Sequence, residues 1–223
     1  MTARRDSLSA AACFALLLLS GCNVSSDDGD DSNKVNGSIR VPAGKAATDV
    51  RTVNGSITVE DNGTIKSAGT VNGHVKLGTH ASATSLHTVN GRITLGDGAQ
   101  AVEAGTVNGD LTLDNGAELT GTLGNVNGKI SLTDAHVGGG IKTANGDISI
   151  MGASRVEGGI EVQEASSSLF NSSDPTVIIG PGATVQGDLV FKRKVRLFVS
   201  DHATIGTVTG ATAVTFSGDK PPP

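Results

Sequence analysis

The motif Val-Asn-Gly returns along this chain at an almost constant interval, and no other feature constrains the fold as strongly. Six copies read Val-Asn-Gly and a seventh reads Ala-Asn-Gly. Their first residues are separated by 18, 18, 18, 18, 19 and 18 positions. A fixed period of this length indicates that one structural unit is stacked on itself, as in a solenoid.

Within each repeat, apolar residues alternate as they do in a strand. Counted from the motif Val as zero, offsets four and six are apolar, as in Ile57 and Val59, offset ten is small, and offset twelve is aliphatic or small. A period of two is the strand period. We therefore predict an all-β, single-stranded parallel β-helix with three-sided coils of about 18 residues, in which offsets zero, six and twelve mark three equal sides and coils lie about 4.8 Å apart.

The repeated Asn-Gly pairs are predicted to form a corner of each coil. Gly accepts a positive φ without steric penalty, and Asn is the next most tolerant residue. We interpret the pairs as a stack that holds the turns through side-chain hydrogen bonds, rather than as a ligand site. The predicted corner ladder comprises Asn36, Gly37, Asn54, Gly55, Asn72, Gly73, Asn90, Gly91, Asn108, Gly109, Asn127, Gly128, Asn145 and Gly146.

Composition agrees with a narrow solenoid. The chain has 31 Gly and only five Phe, and it has no Tyr or Trp. A globular core of ordinary shape normally uses more aromatic residues, whereas a three-sided β-helix has room inside for Val, Ile, Leu and Ala. Without residues 1–21, the chain has 15 Lys and Arg against 21 Asp and Glu, a net charge of −6. This balance excludes nucleic acid as an expected partner.

Residues 1–21 are predicted to be a signal peptide, with two arginines followed by an apolar stretch too short to span a bilayer. The tetrapeptide Leu-Ser-Gly-Cys that ends at Cys22 resembles the lipobox of bacterial lipoproteins. The resemblance implies cleavage between Gly21 and Cys22, diacylation of the Cys22 sulfur, and acylation of the new amino terminus. An ordinary signal peptide with an incidental cysteine is the alternative. More than one acyl chain makes membrane anchoring stable.

The expected location follows from the residues after this cysteine. By resemblance to the sorting rule of enteric lipoproteins, Asn23 favours the outer membrane, on its periplasmic face or at the surface. Residues 22–33 are acidic and without apolar period, so they are predicted to be a lipidated, disordered tether. The spacing of their carboxylates does not match a calcium loop. Cys22 is the only cysteine after the signal peptide, so no internal disulfide is expected.

The solenoid is predicted over residues 34–218, with regular coils at 34–162, a Ser-rich loop at 164–175, C-terminal coils and a cap at 176–218, and a disordered tail at 219–223. Apolar pairs return after the loop, ending with Val195 and Leu197. Four of the five Phe residues lie in this last third, where a wider cap is expected over the open coil. The basic cluster consists of Lys192, Arg193, Lys194 and Arg196, and we interpret it as a charged guard on exposed strands.

Together, the 18-residue period, the Val-Asn-Gly-x-Ile repeats and the run Gly-Pro-Gly-Ala-Thr-Val-Gln-Gly-Asp-Leu at 180–189 resemble the bactofilins, which are polymer-forming β-helical scaffold proteins of bacteria. The chain is also similar to secreted, adhesin-like β-solenoids with recurring Asn-Gly corners. The first resemblance implies self-association into a scaffold. The second implies adhesion to an envelope polysaccharide or protein partner.

Enzymatic alternatives are weaker. The run Ile179–Thr184 resembles the hexapeptide repeats of acyltransferases, which need a catalytic His. Sugar cleavage needs paired carboxylates, and the pair at one offset, Asp110 and Asp147, is expected roughly 10 Å apart because two coils separate them. The His candidates, which share no offset, are His74, His80, His87, His136 and His202. We expect no enzymatic activity, no cofactor and no metal site.

A column of threonines at one offset suggests a further surface. Such a column is either an ordered face for a lattice such as ice or a device that satisfies neighbouring strands, since Thr favours β structure. The column contains Thr52, Thr70, Thr88, Thr106 and Thr143.

Overall fold

The computed structural model describes residues 32–164 and 174–222, and within these residues the chain is all-β with no helix. In chain order the strands are β1 (Ser32–Asn36), β2 (Ile39–Val41), β3 (Ala46–Asn54), β4 (Ile57–Val59), β5 (Thr64–Asn72), β6 (Val75–Leu77), β7 (Ser82–Asn90), β8 (Ile93–Leu95), β9 (Gln100–Asn108), β10 (Leu111–Leu113), β11 (Glu118–Leu119), β12 (Leu123–Asn127), β13 (Ile130–Thr133), β14 (His136–Val137), β15 (Ile141–Thr143), β16 (Ile148–Met151), β17 (Arg155–Val156), β18 (Ile160–Val162), β19 (Thr176–Ile179), β20 (Thr184–Val185), β21 (Leu189–Phe191), β22 (Arg196–Ser200), β23 (Thr204–Ile205), β24 (Val208–Thr209) and β25 (Ala213–Phe216).

All strand pairs are parallel, and each strand pairs with its equivalents in the coils above and below. One side of the solenoid is a ten-stranded sheet with the order β2-β4-β6-β8-β10-β13-β16-β19-β22-β25. Register follows the sequence period, since Ile57 pairs with Val75, which is 18 residues further on. The predicted parallel β-helix is therefore confirmed, with ten stacked coils across the described residues.

The other two sides belong to one 15-stranded sheet. In the early coils a nine-residue strand such as β5 runs without interruption around the corner between these sides. From β11 onward the same corner contains glycine and the strand is divided in two, as in β11 and β12. These glycines stack closely: a Cβ on Gly139 would lie 2.4 Å from the carbonyl oxygen of Gly121. The later corners are therefore sharper and depend on glycine.

The core is a single column of aliphatic residues, with one inward-facing pair on each side of the coil. In one coil these pairs begin at Val75, Ala81 and Leu86, and the next coil begins at Ile93. The sides are therefore six, five and seven residues long. The prediction of three equal sides was wrong, because the motif valine faces outward: Val53 is 37% exposed. Its regular spacing marks the corner and not the core.

A second corner, between the ten-stranded sheet and the next side, contains the left-handed residues. Asn62 and His80 have φ angles of 58° and 54°, and Gly98 occupies the equivalent position with 64°. The turn is closed by a backbone hydrogen bond, as from the Gly63 amide to the Glu60 carbonyl at 3.0 Å. Asn and Gly are the residues that tolerate this conformation best. The positive φ expected for the Asn-Gly corner therefore occurs mainly at this corner.

The stack continues across the predicted loop. Ile148 pairs directly with Val177, so that coil contains 29 residues instead of 18. Most of the predicted loop, residues 165–173, lies outside the described residues. The following coils are irregular in length, because Val177 pairs with Leu197 and Leu197 with Ala213. The inward-facing pair of β22 is Leu197 and Val199, which lies two residues after the predicted pair Val195 and Leu197.

Every described strand pairs with other strands between Ser32 and Phe216, and their buried apolar residues form one hydrophobic cluster. The first strand begins two residues inside the predicted tether. The predicted signal peptide, its cleavage site at Gly21 and the lipidation site Cys22 lie outside the described residues. None of the described residues belongs to a helix that is long and apolar enough to cross a membrane.

Candidate functional site

The seven motif asparagines form one continuous side-chain ladder along a corner of the solenoid. The Nδ2 group of Asn54 donates to Oδ1 of Asn36 at 3.0 Å, and the same bond repeats up to Asn145 with lengths between 2.8 and 3.1 Å. In all six bonds the amide donates toward the N-terminal end. At the other end, Oδ1 of Asn145 accepts from Arg193, which also donates to the Ala144 carbonyl at 3.2 Å. The basic residue therefore caps the ladder.

The glycines beside these asparagines are needed for close approach. A Cβ on Gly91 would lie 1.8 Å from the carbonyl oxygen of Gly73, and a Cβ on Gly109 would lie 1.8 Å from that of Gly91. Only Gly37 and Gly128 in this ladder have φ in the left-handed region. The positive φ that we predicted from the Asn-Gly pair is thus not the general reason for glycine here. Backbone contact between coils is the reason.

The threonine column lies inside the solenoid, so the hypothesis of an exposed threonine face was wrong. Thr70 is 1% exposed, and its hydroxyl donates to the Gly55 carbonyl of the preceding coil at 2.9 Å. Thr52, Thr88 and Thr106 make the equivalent bond. Asn125 replaces threonine in one coil and donates to the Gly128 carbonyl at 3.0 Å. This column satisfies carbonyl groups at the corner, because a buried carbonyl without a partner is costly.

A third column, at offset three, also serves the backbone. At five of its seven positions a side chain accepts a backbone amide N–H of the next coil. The other two positions are the cations Arg92 and Lys129, which have no acceptor atom. The His74 Nδ1 atom accepts from the Arg92 amide at 3.0 Å, and Oδ1 of Asp110 accepts from the Lys129 amide at 3.0 Å. The five accepting side chains are serine hydroxyls, an imidazole and carboxylates, which differ in size and charge but can all accept a hydrogen bond.

The two carboxylates proposed as a sugar-cleaving pair belong to this column. The hydrogen bond from the Lys129 amide, with help from the Arg92 guanidinium at 3.0 Å, lowers the pKa of Asp110. Oδ1 of Asp147 accepts the Thr176 amide at 2.7 Å. Both carboxylates are therefore engaged in hydrogen bonds that join consecutive coils.

The five histidines are dispersed, and one lies in a Ser-His-Glu group. The Nε2 atom of His87 lies 2.5 Å from Oγ of Ser85 and 3.4 Å from Oε1 of Glu103. A nucleophile, base and orienting acid require the hydroxyl and the carboxylate on opposite ring nitrogens, whereas here both approach Nε2. Burial lowers the pKa of His87, with an opposing effect from Glu103. This group is an inter-coil contact on the surface of the third side.

A shallow depression of about 310 Å³ lies beside His136 on the second side. The ring lies between two carboxylates, with Nδ1 3.7 Å from Glu118 and Nε2 3.3 Å from Glu157. Arg155 approaches Glu157 at 3.4 Å. The His136 ring and the Arg155 guanidinium therefore both contact neighbouring carboxylates. Among residues 32–164 and 174–222, no cluster of three or more His, Cys, Asp or Glu side chains is arranged to hold a metal ion.

Both ends of the described solenoid expose strand edges. Among the described strands, β1 pairs only with β3 and β2 pairs only with β4 at the N-terminal end. At the C-terminal end β23, β24 and β25 each pair on one side only. The predicted aromatic cap is only partly present: Phe191, the last residue of β21, packs in the hydrophobic core, while Phe216 lies buried on the last strand. Phe170 lies outside the described residues.

Comparison with known protein families, with curated proteins and with solved structures finds no match for this chain.

Proposed function

We propose that this chain is a non-enzymatic structural module of the bacterial cell envelope, anchored by lipid at Cys22, which self-associates through the ends of its solenoid. The observation that supports this proposal is the open strand edge at each end of the described coils. An open edge is a template for pairing with another chain. The three side-chain columns described above are, by contrast, already engaged within the molecule.

End-to-end contact extends a parallel stack without new side-chain chemistry. A second copy continues the hydrogen-bond ladder at the spacing of about 4.8 Å that the coils already use. The outward face of the first strand, β1, is exposed along its whole length. A contact between unlike ends repeats without closing and gives a filament, whereas a contact between like ends closes after two copies.

Adhesion to an envelope polysaccharide or protein is the second candidate. The observation that favours it is the row of outward valines beside the asparagine ladder, beginning with Val35, which is 56% exposed, and Val53. A straight row of small apolar and amide groups suits a regular polymer laid along the solenoid. In this case the partner binds along the side of the solenoid, and the strand edges at its two ends take no part in binding.

Electron microscopy and sedimentation of residues 32–223, over a range of concentrations, separate the two candidates. We expect filaments or paired rods that lengthen with concentration. The Arg40→Pro variant should prevent association at the N-terminal end, because proline removes the amide of an edge strand. Arg40→Ala is the matched control, since it also loses the ion pair with Glu60 but keeps that amide. Single rods of one length at every concentration would contradict self-association into a scaffold. They would favour the second candidate, binding of a ligand along the side of the solenoid.

The lipid anchor is tested separately on the full chain. We expect Cys22→Ala to move the protein from the membrane fraction to the soluble fraction and to prevent labelling with radioactive palmitate. Cys13→Ala is the matched control, because that cysteine precedes the predicted cleavage site. Unchanged membrane association and mobility of Cys22→Ala would refute lipidation.

A further inference from the structure

The outward column of the ten-stranded sheet changes character near its C-terminal end. Strand register aligns one outward residue from each coil into a straight row. The first seven are Arg40, Thr58, Lys76, Thr94, Thr112, Ser131 and Ser149, and the last three are Ile178, Phe198 and Val214. Ile178 and Phe198 are half-buried and Val214 is 48% exposed. We call these three residues the apolar strip.

This strip is not required by the fold. Seven coils of the same sheet have polar residues at the same position and pack the same aliphatic core behind it. An outward Phe between Ile and Val on adjacent strands therefore needs another reason, since isolated apolar residues are common at surfaces but aligned ones mark interaction sites.

Positive charge borders the strip. The connection between β21 and β22 and the first residue of β22 contain four basic residues within five positions, out of 17 in the whole chain, although the chain carries a net charge of −5. Arg196 begins β22, two residues before Phe198, and donates to Oγ1 of Thr176 at 2.7 Å. The Lys194 side chain is 83% exposed and lies 3.0 Å from Asp174. A cationic border thus lies along one side of the strip.

We propose that the apolar strip and its basic border bind a lipid surface with anionic headgroups. Apolar side chains enter the boundary between headgroups and acyl chains, and nearby Lys and Arg gain from the negative surface potential. A second copy of the chain fits less well, because a two-fold contact through the strip brings two basic clusters together. The proposal is independent of acylation at Cys22. It places the C-terminal coils against the bilayer, so that the solenoid lies along the membrane and does not project from it.

Vesicle flotation with residues 32–223, which span all the described strands and lack the predicted lipidation site, tests this directly. The probes are vesicles of phosphatidylcholine alone and of phosphatidylcholine with one third phosphatidylglycerol. We expect binding to the anionic vesicles, weakened by salt. The double variant Phe198→Ser with Val214→Ser should reduce the partition coefficient about tenfold or more, because two apolar side chains no longer enter the lipid. The variant Lys194→Gln with Arg196→Gln should weaken binding and flatten its salt dependence.

Thr94→Ser with Thr112→Ser is the matched control in the same column and should bind as the parent does. Circular dichroism and thermal unfolding verify that each variant is folded. Equal flotation of the parent and of the double variant Phe198→Ser with Val214→Ser, with both folded, would overturn the proposal. So would absence of binding to the anionic vesicles. If sedimentation shows instead a parent dimer that Phe198→Ser dissociates, the strip is a contact between copies, and the lipid proposal fails.

Discussion

At the scale of the residue, glycine serves two purposes in this solenoid, and the structure separates them by position. Gly98 adopts a left-handed φ of 64° at a turn that closes the second corner. Gly91, at the Asn-Gly corner, has an ordinary φ but no room for a Cβ. The first use requires conformational freedom and the second requires close approach of two coils. Substitutions at the two kinds of position therefore fail for different reasons.

The variant Gly91→Ala tests the close approach. Its Cβ would lie 1.8 Å from the Gly73 carbonyl oxygen, so two coils must separate locally. We expect the free energy of unfolding to fall by about 2–3 kcal/mol, as in other overpacked sites. Gly124→Ala is the control, because its nearest neighbour would lie 3.7 Å away. Equal stability of both variants in urea unfolding would show that the corner is not tightly stacked.

The Asp110 carboxylate links stability to pH. Its folded pKa is lowered, chiefly by the Lys129 amide, from an ordinary value of 3.8. A lowered folded pKa contributes stability that is present above the unfolded pKa and is lost as pH falls through the folded pKa. We expect Asp110→Asn to be less stable than the parent at pH 6, and the difference to shrink below about pH 4.

Urea unfolding of parent and Asp110→Asn between pH 6 and pH 2 measures this difference. Ser131→Ala, an uncharged change in the next coil, should shift stability by the same amount at every pH. A difference between parent and Asp110→Asn that does not change with pH would contradict the role assigned to the carboxylate.

At the scale of the element, the largest change in coil length lies at one corner, whereas each of the other two corners gains a single residue in one coil. The 29-residue coil takes its extra residues between β18 and β19, where the other coils have Val-Asn-Gly. The asparagine ladder ends one coil earlier, and Arg193 binds its last carbonyl oxygen. Among the described residues, the ladder therefore ends at the corner that precedes the insertion.

Deleting residues 165–173 tests whether the insertion is needed for folding. The deletion shortens the 29-residue coil to 20, the same length as the following coil from Val177 to Leu197. We expect a folded protein with unchanged circular dichroism and a stability within about 1 kcal/mol of the parent, since loop length contributes slowly to stability. Deletion of nine residues from a regular coil, Ser82–Asn90, should prevent folding, because it removes the whole of β7. Unfolding of the first variant would assign a structural role to the segment.

At the scale of the whole molecule, stability accumulates coil by coil. Each coil contacts only the coil above and the coil below, so that the total is approximately a sum of repeat and interface terms. The side-chain columns strengthen the contacts between neighbouring coils, since the Asn, Thr and offset-three hydrogen bonds all join consecutive coils. The ends lack one neighbour among the described coils, and the proposed assembly would supply it.

Duplicating one regular coil tests this additivity. A second copy of residues 73–90 inserted after Asn90 keeps the 18-residue period and continues all three columns. We expect a higher melting temperature and a rod longer by about 4.8 Å. An insertion shortened by one residue is the control, because it moves the inward side chains of one strand outward. A lower melting temperature for the full duplication would argue against additive coils.

The sequence by itself determined the parallel β-helix, its coil length and the position of the stacked corner, because a repeat held in register must place identical residues above one another. It did not determine which way the repeated side chains face. The threonines point inward and the motif valines outward, since the sides are six, five and seven residues long. Only the tertiary structure showed that Ser, His and Asp share one backbone-binding column. It also showed the aligned Ile178, Phe198 and Val214, because coils of unequal length bring these residues together only after stacking.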